Sequence, residues 1–376
     1  MGLNILHVIP KLTVGGVENQ LALILKKYDK KKFPPFVCCL SDRGEIGSEI
    51  EAEGTEVIYL NKLSHRFDWT IVKDIQDFIR LRHINIIRTH QYHANLYGRL
   101  AARRAKVPCI ISSVHNVYTI DKKIHRRMLN NYLAHFTDRV VAVSNAVKRD
   151  IMKYDGIPEE KISVIYNGIE MKSFLKAKEN IRTELGIAPG APVIATVGRL
   201  THQKGQKFLL EAIAKLRKLF PQIVLVIAGD GPLRNELEDF AAVLKITNNV
   251  RFLGTRRDIP AILSAIDIFV LPSIWEGLSN ALIEAMAAGK PVIATDIQPV
   301  REIINSENVG ILIAPENCDA IVNYVTLLLN NREFAGKIGR SARERVFSAF
   351  NIEVTVNRYM SLFKEILQRK GVKFEA

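Results

Sequence analysis

The sequence lacks any uninterrupted apolar run close to the roughly 18 residues of a membrane-spanning helix. Its first ten residues also lack the basic start, long apolar centre and small-residue cleavage site of a secretion signal. The cysteines have neither metal-site nor disulfide-framework spacing, which is typical of a reducing compartment; they are Cys38, Cys39, Cys109 and Cys318. These absences predict a cytoplasmic protein without a membrane span.

Short apolar runs alternate with amphipathic segments along both halves of the chain, and 48% of its 376 residues are hydrophobic, enough for two cored domains. The first series of predicted strands lies at 4–9, 35–40, 56–60, 85–89, 109–114, 139–143 and 162–166. The second lies at 192–198, 223–228, 250–253, 267–271, 291–295 and 309–313, with helices near 205–219, 231–244, 279–289 and 317–330. This alternation predicts doubly wound parallel sheets.

The expected fold is therefore α/β, with two Rossmann-like domains that face each other across a cleft. A polar stretch at 171–192, with Gly and Pro near its end, is interpreted as the linker. We expect an N-terminal domain over 1–175, a C-terminal domain over 176–351 and a last amphipathic helix over 352–376. Functional residues should follow the carboxyl ends of the strands, where such sheets bind their ligands.

Basic residues are concentrated in the first half of the chain, whose overall net charge is +14. Residues 80–127 hold eleven Lys and Arg against a single acid, Asp121. Such a segment attracts nucleic acid, an anionic membrane leaflet or a phosphorylated substrate, and a solvated basic face without a partner is the alternative. The expected membrane contact is a basic set on one predicted helix: Lys122, Lys123, Arg126 and Arg127.

Two glycine-rich turns follow predicted strands. Gly15 and Gly16 lead into a helix, where the backbone can approach a ligand closely and the helix start favours anions. Their spacing departs from the Gly-x-Gly-x-x-Gly fingerprint of dinucleotide-binding sheets, which argues against a dehydrogenase. Gly229 and Gly231 form a second turn, which either faces a base or diphosphate or is only a tight turn.

Two cations, Arg199 and Lys204, follow the predicted strand that ends at Gly198, and Gly205 then opens a helix. Cations fixed at the carboxyl end of a strand suit a diphosphate, and they would stabilise the charge that develops on a departing nucleotide. A pair of solvated surface cations is the alternative.

The stretch SIWEGLSNALIEAMAAGKPVIAT, residues 273–295, places two glutamates around a helix start. Glu276 precedes the helix that we expect to begin at Ser279 or Asn280, so its carboxylate can extend from the loop, and Glu284 lies further along the helix. Two carboxylates so separated can accept hydrogen bonds from the hydroxyls at both ends of a diphospho-sugar, with the phosphates facing the helix start. A cap and an ordinary helix glutamate are the alternative.

Polar residues also end two later strands of the first half, where His115 and Ser144 occur. A histidine at this edge can orient a donor or an acceptor hydroxyl. A histidine that is only packed in the core is the alternative.

Taken together, the segments GGVE, HN, VSNAV, NGIE, VGRLTHQKG, GDGP and EGLSNALIEAMAAGKPV closely resemble glycosyltransferase family 4, retaining enzymes of the GT-B fold. The resemblance extends over nearly the whole chain, and its most specific part is the pair Glu276 and Glu284, followed by Arg199 and Lys204. It implies an acceptor-binding N-terminal domain, a donor-binding C-terminal domain and a last helix that packs back on the first domain.

The resemblance also implies roles for single residues. Arg199 and Lys204 would hold the diphosphate of a nucleotide-sugar and Glu284 its ribose, while Glu276 would contact the donor sugar and His115 would act at the donor site in transfer. Asn116 stands where many relatives have Asp, which puts a charge at that position in doubt. The other matching positions belong to the donor site (Gly15, Gly16, Gly229, Gly231, Gly277 and Leu278) or to the acceptor side (Asn116 and Ser144).

The implied reaction transfers a sugar with retention from a nucleotide-diphosphate-sugar, by preference a UDP-sugar, to a glycan or lipid-linked acceptor of polysaccharide, lipopolysaccharide or glycolipid synthesis. Double displacement would need an opposing carboxylate, which relatives generally lack, so same-face departure and attack is favoured. The sequence contains no Asp-x-Asp motif, and neither a metal nor another cofactor is expected, because Arg and Lys meet the phosphate charge.

Two other classes stay open. A nucleotide-sugar epimerase of similar architecture would bind the same donor and transfer nothing. A nucleic-acid-binding protein would use the basic first half, but aromatic stacking motifs and a basic recognition helix are absent from the sequence, so no nucleic acid partner is expected. The expected partners are the sugar donor, the acceptor and an anionic membrane surface contacted through residues 80–127, with the protein peripheral on the inner membrane face.

Overall fold

A computed structural model describes residues 2–64, 66–117, 124–176 and 181–372. The chain divides into two compact units, one built from Met1–Gly168 with Ile352–Ala376 and the other from Ile169–Asn351. The division after Gly168 precedes the boundary that the sequence predicts after residue 175.

Strands and helices alternate in both units. The strands are β1 (Ile5–Ile9), β2 (Pro35–Cys39), β3 (Glu56–Tyr59), β4 (Ile86–His90), β5 (Cys109–Val114), β6 (Arg139–Ala142), β7 (Ile162–Val164), β8 (Val193–Val197), β9 (Val224–Ala228), β10 (Val250–Phe252), β11 (Ile268–Leu271), β12 (Val292–Thr295) and β13 (Ile311–Ile313). The helices are α1 (Gly16–Lys27), α2 (Glu45–Ala52), α3 (Trp69–Leu81), α4 (Gln91–Ala105), α5 (Ile124–Ala134), α6 (Asn145–Asp150), α7 (Met171–Lys176), α8 (Ile181–Glu184), α9 (Gln206–Leu216), α10 (Arg234–Val243), α11 (Ile259–Ala265), α12 (Asn280–Ala287), α13 (Gln298–Ile303), α14 (Cys318–Asn330), α15 (Arg332–Ala349) and α16 (Ile352–Arg369). Single turns of other helix types lie at Ile151–Asp155, Glu159–Lys161, His202–Lys204 and Thr247–Asn249.

The first unit is a parallel sheet in the order β3-β2-β1-β4-β5-β6-β7. Its central strands are short apolar runs because both faces of the sheet are covered. One face packs against α1 and α16, and the other packs against α3 and α4. The last helix of the chain therefore completes the core of the first unit.

The second unit is a parallel sheet in the order β10-β9-β8-β11-β12-β13. In each unit the strand order reverses beside the first strand, between β1 and β4 and between β8 and β11. Open parallel sheets bind ligands beyond the carboxyl ends of the strands at this switch point. The predicted α/β class with two doubly wound parallel sheets is confirmed.

The interpretation of residues 171–192 as a linker is wrong. This stretch forms α7 and α8, and it buries Met171, Ile181 and Ile187. Because these apolar side chains pack within the second unit, the segment is part of that unit despite its polar composition. Across the described parts of the chain, no helix combines the length and apolar character needed to cross a bilayer.

Candidate functional site

The loop after β8 brings Lys204 back against the end of its own strand. Gly198, with φ 155°, donates its N–H to the carbonyl oxygen of Ala228 at 2.9 Å. A Cβ at position 198 would lie 3.4 Å from Cε of Lys204. The positive φ favours glycine at this position, and the lysine stem lies in ordinary contact distance beside it and directs the ammonium group towards the neighbouring strand end.

The loops after β8 and β11 are joined closely at the switch point. Gly205 has φ 63°, and a Cβ there would lie 2.1 Å from the carbonyl oxygen of Pro272. Ile274 N–H donates to the carbonyl of Gln203 at 2.8 Å, and Gln203 Nε2 donates to the carbonyl of Trp275 at 2.9 Å. Only glycine allows this approach, since both the left-handed φ and the close carbonyl exclude a side chain.

Glu276 is buried at this junction and forms an ion pair with Lys204. Lys204 Nζ donates to Oε1 of Glu276 at 2.6 Å, and Ser273 Oγ donates to the same oxygen at 2.8 Å. The sequence predicts a carboxylate that extends freely from its loop. In the structure, these two donors hold the carboxylate instead. Because both donors contact Oε1, Oε2 keeps its capacity to accept hydrogen bonds from a ligand.

Arg199 differs from Lys204 in its surroundings. Its side chain is exposed and forms no ion pair within the described ranges, while its carbonyl oxygen accepts a hydrogen bond from Nε2 of Gln206 at 3.1 Å. The backbone is therefore anchored while the guanidinium stays available. Two cations thus follow β8: Lys204 is held by its ion pair with Glu276, whereas the side chain of Arg199 is exposed to solvent.

Gly229 and Gly231 pack against the loop that carries these cations. A Cβ at position 229 would lie 2.0 Å from the carbonyl oxygen of Gly198, and one at 231 would lie 2.4 Å from that of Leu200. Leu200 N–H donates to the carbonyl of Asp230 at 3.0 Å. These glycines therefore hold the β8 and β9 loops together, which is a packing role whether or not a donor binds beside them.

Glu284 lies on α12, which begins at Asn280 with Ser279 as its N-cap, in agreement with the predicted start at Ser279 or Asn280. Ser279 Oγ accepts a hydrogen bond from the N–H of Leu282 at 3.4 Å, and Gly277 and Leu278 are buried before the cap. Burial raises the pKa of Glu284 to about 7. A carboxyl group with a pKa near 7 is partly ionised at physiological pH, and the ionised form can accept hydrogen bonds from ligand hydroxyls.

In the first unit, the turn at Gly15 and Gly16 holds a carboxylate that our sequence analysis missed. Oε2 of Glu18 would lie 2.3 Å from a Cβ at position 15, and Oε1 accepts from Nε2 of Gln91 at 3.1 Å. Burial raises the pKa of Glu18. The signal in the sequence is an acid at the third helical position, which commonly folds back on the helix start. A phosphate at this turn would meet that carboxyl group.

His115 follows β5 and contacts a second histidine that the motifs did not indicate. His115 Nε2 and His90 Nδ1 are 3.3 Å apart. Burial, and then the charge of Arg88, lower the pKa of His115 to about 3. The ring is therefore neutral at physiological pH, which excludes an imidazolium acid and leaves a neutral hydrogen-bonding role.

The two residues expected on the acceptor side have different positions. Asn116 is exposed, and its Oδ1 accepts from the N–H of Val117 at 2.9 Å. Ser144 is buried, and its hydroxyl oxygen caps α6 by accepting from the N–H of Val147 at 3.2 Å. Ser144 therefore has a clear structural task.

The basic segment 80–127 is only partly a surface feature. Arg88 and Arg99 are buried, and Arg99 donates to the carbonyl of Asn95 at 2.7 Å. These two arginines therefore lie in the protein interior and do not belong to a solvated basic face. Arg126 and Arg127 lie over the rings of Tyr92 and Tyr154 respectively, at 4.3 and 4.6 Å. Their predicted neighbours on the helix are outside the described residues, namely Lys122 and Lys123.

Two glycosyltransferase family profiles match the chain, one over each half. The profile described as Glycosyltransferase Family 4 matches residues 14–173, and the one described as Glycosyl transferases group 1 matches residues 177–345. The chain is 31% identical over 321 residues to an Escherichia coli protein named UDP-Gal:alpha-D-GlcNAc-diphosphoundecaprenol alpha-1,3-galactosyltransferase. That similarity covers 80% of this chain and 82% of the relative.

Solved structures share the fold over nearly the full length. A glycosyltransferase from Rickettsia africae is 26% identical with a TM-score of 0.84, covering 97% of this chain and 99% of its own. The Anabaena protein HepE, solved with UDP and glucose, is 22% identical with a TM-score of 0.86, covering 96% and 99%. The two doubly wound sheets are thus those of a GT-B protein, and the chain belongs to glycosyltransferase family 4.

Proposed function

We propose that the protein is a retaining glycosyltransferase that binds a nucleotide-diphosphate-sugar, by preference a UDP-sugar, on its second unit. The observation that carries the proposal is the Lys204–Glu276 ion pair at the switch point between β8 and β11. Desolvation makes a buried charge costly, and buried ion pairs at the ends of strands are concentrated at functional sites, which supports a ligand task for this pair.

The diphosphate would bind to Arg199 and Lys204. Lys204 uses one of its three N–H donors on Glu276 and keeps two for phosphate oxygens, and the exposed guanidinium of Arg199 supplies a planar fork. Both cations would then stabilise the charge that grows on the departing nucleotide. This arrangement supplies the electrostatic part of catalysis through the protein's own cations.

The two hydroxyl-bearing ends of the donor would meet the two carboxylates. Oε2 of Glu276 is free to accept from a hydroxyl of the transferred sugar, and Glu284 would accept from the ribose. Retention would follow from departure and attack on the same face of the sugar, with the leaving phosphate oxygen taking the acceptor proton. Neutral His115 would donate or accept a hydrogen bond at the donor without a net charge.

The names of similar proteins support the choice of substrates. The Escherichia coli relative is named for UDP-galactose and for an acceptor linked to diphosphoundecaprenol, and HepE was solved with UDP and glucose. By analogy, we propose a UDP-hexose donor and a lipid-linked or glycan acceptor of cell-envelope synthesis for this chain.

Calorimetric titration with UDP, GDP and ADP, followed by transfer assays with the preferred nucleotide's sugars, tests the proposal. We expect the α-configured donor to give an α-linked product, read from the anomeric proton coupling in NMR. An inverted product would contradict retention. Turnover of the sugar to its epimer without any acceptor would favour the epimerase class instead.

We also propose that the first unit, which would bind the acceptor, contacts an anionic membrane through α5. Ile124, Met128 and Tyr132 recur at four-residue spacing on this helix and are exposed, next to Arg126 and Arg127. An exposed apolar stripe flanked by basic residues is the pattern of helices that lie in the membrane interface. Exposed apolar side chains that share one face mark interaction sites, and the neighbouring basic residues favour an anionic membrane as the partner.

Sedimentation with phosphatidylcholine vesicles, with and without phosphatidylglycerol, tests this contact. We expect Met128→Asp to weaken binding to the anionic vesicles by roughly tenfold, because it removes apolar burial and adds a repelled charge. The matched control is Val243→Asp, an exposed apolar position on α10 of the second unit. Equal losses for both variants would exclude α5 as the contact.

A further inference from the structure

A line of three imidazole rings, two of them buried and the third partly buried, crosses the switch point of the first unit. His7 lies on β1, His90 ends β4 and His115 follows β5, three strands that are adjacent in the sheet. His7 Nδ1 is 3.2 Å from His90 Nε2, and His90 Nδ1 is 3.3 Å from His115 Nε2. At the far end, Nε2 of His7 lies 3.4 Å from the hydroxyl of Tyr28.

The rings meet edge to edge. Neighbouring ring centres are 5.5 Å apart in both pairs, and the planes differ by only 23° and 19°. The centre separation exceeds the nitrogen–nitrogen distance by about two ring radii, so the facing nitrogens lie between the ring centres. This is the geometry of a chain of N–H···N hydrogen bonds. The nitrogens face each other in pairs and do not converge on one point, as they would around a metal ion.

The rings are neutral. Burial first, and then the charge of Arg88, lower the pKa of His7 and of His90 far below the usual value, as they do for His115. Arg88 is itself buried, donates to Ser113 Oγ at 3.0 Å, and lies over the ring of Tyr359. A fixed cation beside the line therefore opposes the entry of an extra proton.

Neutrality leaves two protonation states for the line. Each neutral ring carries one N–H and one lone pair, and each ring-to-ring contact needs one of each. If His7 is protonated on Nδ1, the same must hold for His90 and then for His115. If His7 is protonated on Nε2, all three are. The tautomer of His115 is thus tied to that of a residue two strands away.

Tyr28 selects between the two states. Burial raises the pKa of its hydroxyl, so the group keeps its proton, and the charge of Arg88 acts on the oxygen in the opposite sense. A cation attracts the oxygen lone pairs, so the hydroxyl proton points away from Arg88 and towards Nε2 of His7. A ring that accepts on Nε2 carries its proton on Nδ1.

We propose that Tyr28, His7 and His90 are positioning residues that hold His115 with its proton on Nδ1, ready to donate to a substrate oxygen. Nδ1 of His115 is buried and has no hydrogen-bond partner within the described part of the chain. Such an atom costs free energy until it is paired, so an arriving oxygen acceptor is favoured there. The class of ligand atom is a sugar hydroxyl or phosphate oxygen, and this part of the inference rests on the proposed function.

Long-range proton–nitrogen NMR of the full chain with ¹⁵N-labelled histidine tests the tautomer directly. Comparison with His115→Asn assigns the His115 signals. At neutral pH without substrate, we expect the wild-type ring to carry its proton on Nδ1. Protonation on Nε2 would overturn the inference, and this wild-type result decides it even where a variant fails to fold.

The variant Tyr28→Phe removes the hydroxyl proton and keeps the ring. We expect the ratio of the Nδ1–H to the Nε2–H form of His115 to fall by about fivefold, as the loss of one hydrogen bond implies. The control is Tyr97→Phe, a buried tyrosine on the opposite sheet face whose oxygen accepts from the N–H of Asp68 at 3.1 Å. An unchanged ratio in Tyr28→Phe, or an equal change in Tyr97→Phe, would show that Tyr28 does not set the tautomer of His115.

Turnover separates this inference from the proposed function. If His115 donates to the donor, kcat of Tyr28→Phe falls in proportion to the lost Nδ1–H population, while KM for the nucleotide-sugar changes little. A wild-type protein that transfers no sugar would end the proposed function and leave the spectroscopic result standing. Full turnover with a displaced tautomer would contradict the positioning role alone.

Discussion

Oε1 of Glu276 accepts both hydrogen bonds, one from Lys204 and one from Ser273. We therefore expect turnover to depend on the negative charge of this side chain as well as on its shape. We predict that Glu276→Gln lowers kcat by about 100-fold, since the amide neither orients Lys204 nor accepts as strongly from the sugar. The variant should also unfold about 1–3 kcal/mol more easily, because Lys204 loses its partner. Steady-state kinetics and urea unfolding measure the two effects.

The control for this variant is Asp319→Asn in the same unit. Asp319 pairs with Lys215 at the same 2.6 Å, but the two side chains are 74% and 48% exposed. Solvent screens such a pair, so we expect no measurable change of stability and wild-type turnover. Equal effects for the two variants would show that the buried pair has no special part in the reaction.

Glu284 is predicted to make stability depend on pH. Its folded-state pKa of about 7 lies above the pKa of an unfolded glutamate, so this group lowers the free energy of unfolding progressively as pH rises from about 4 to about 7. It has no effect below about pH 4, and the loss is complete above about pH 7. Glu284→Gln should therefore be more stable than wild type by about 1–3 kcal/mol at pH 8 and equal to it near pH 4. Urea unfolding across this range measures the difference, with exposed Glu307→Gln as the control. A difference that is constant with pH would contradict the burial argument.

Single site residues could be predicted from the sequence where a motif sits at one strand end. Arg199, Lys204 and Glu276 were all singled out, and the structure brings Lys204 and Glu276 into contact. The contacts of His7 and His90 could not be predicted, because they depend on the lateral order of β1, β4 and β5 and not on spacing along the chain.

The start of α9 depends on a glycine whose role is steric as well as conformational. Gly205 has φ 63° and faces the carbonyl of Pro272, while Gly186 has φ 62° with open space around its missing side chain. We predict that Gly186→Ala costs about 1 kcal/mol and that Gly205→Ala costs at least about 2 kcal/mol more, because the β8 and β11 loops must separate.

Thermal unfolding compares the two glycine variants, and nucleotide calorimetry adds a functional readout. Separation of the loops would move Lys204 away from Glu276, so Gly205→Ala should also bind UDP less tightly than Gly186→Ala does. Equal stability and equal affinity in the two variants would contradict the close junction described above.

The strands and the helices α9, α10, α12, α14 and α16 were predictable because buried parallel strands are short apolar runs and amphipathic helices keep a 3.6-residue period, whereas α11, α13 and α15 were not expected. Most observed boundaries lie within one or two residues of the expected ones, as for β8 at Val193–Val197. The short helices α7 and α8 escaped prediction because their polar surface outweighs the few apolar residues that anchor them, such as Ile181.

The two ends of the chain meet in the first unit, since α16 packs against α1 and buries Tyr359, Phe363 and Ile366 in the core around β1. We predict that Phe363→Ala destabilises this unit by about 3–5 kcal/mol. Phe347→Ala, at an exposed position on the preceding helix, should cost less than about 0.5 kcal/mol. Differential scanning calorimetry would reveal the difference, and equal melting temperatures would show that α16 is dispensable for the first unit.

The division of the chain into two units was visible in the sequence as two series of alternating strands and helices. The return of the last helix to the first unit could not be predicted from the hydrophobic pattern, because an amphipathic C-terminal helix can cover either sheet. The partner of α16 is set by the shape of the apolar face that β1 and α1 leave open, and that shape exists only after folding.

The central claim is that the second unit holds a nucleotide-diphosphate-sugar at the carboxyl ends of β8 and β11. A crystal structure of the protein with a UDP-sugar tests it most directly. We expect the diphosphate within hydrogen-bonding distance of Arg199 and Lys204, the sugar at Oε2 of Glu276 and the ribose at Glu284. A ligand bound elsewhere, or a diphosphate that neither cation contacts, would contradict it.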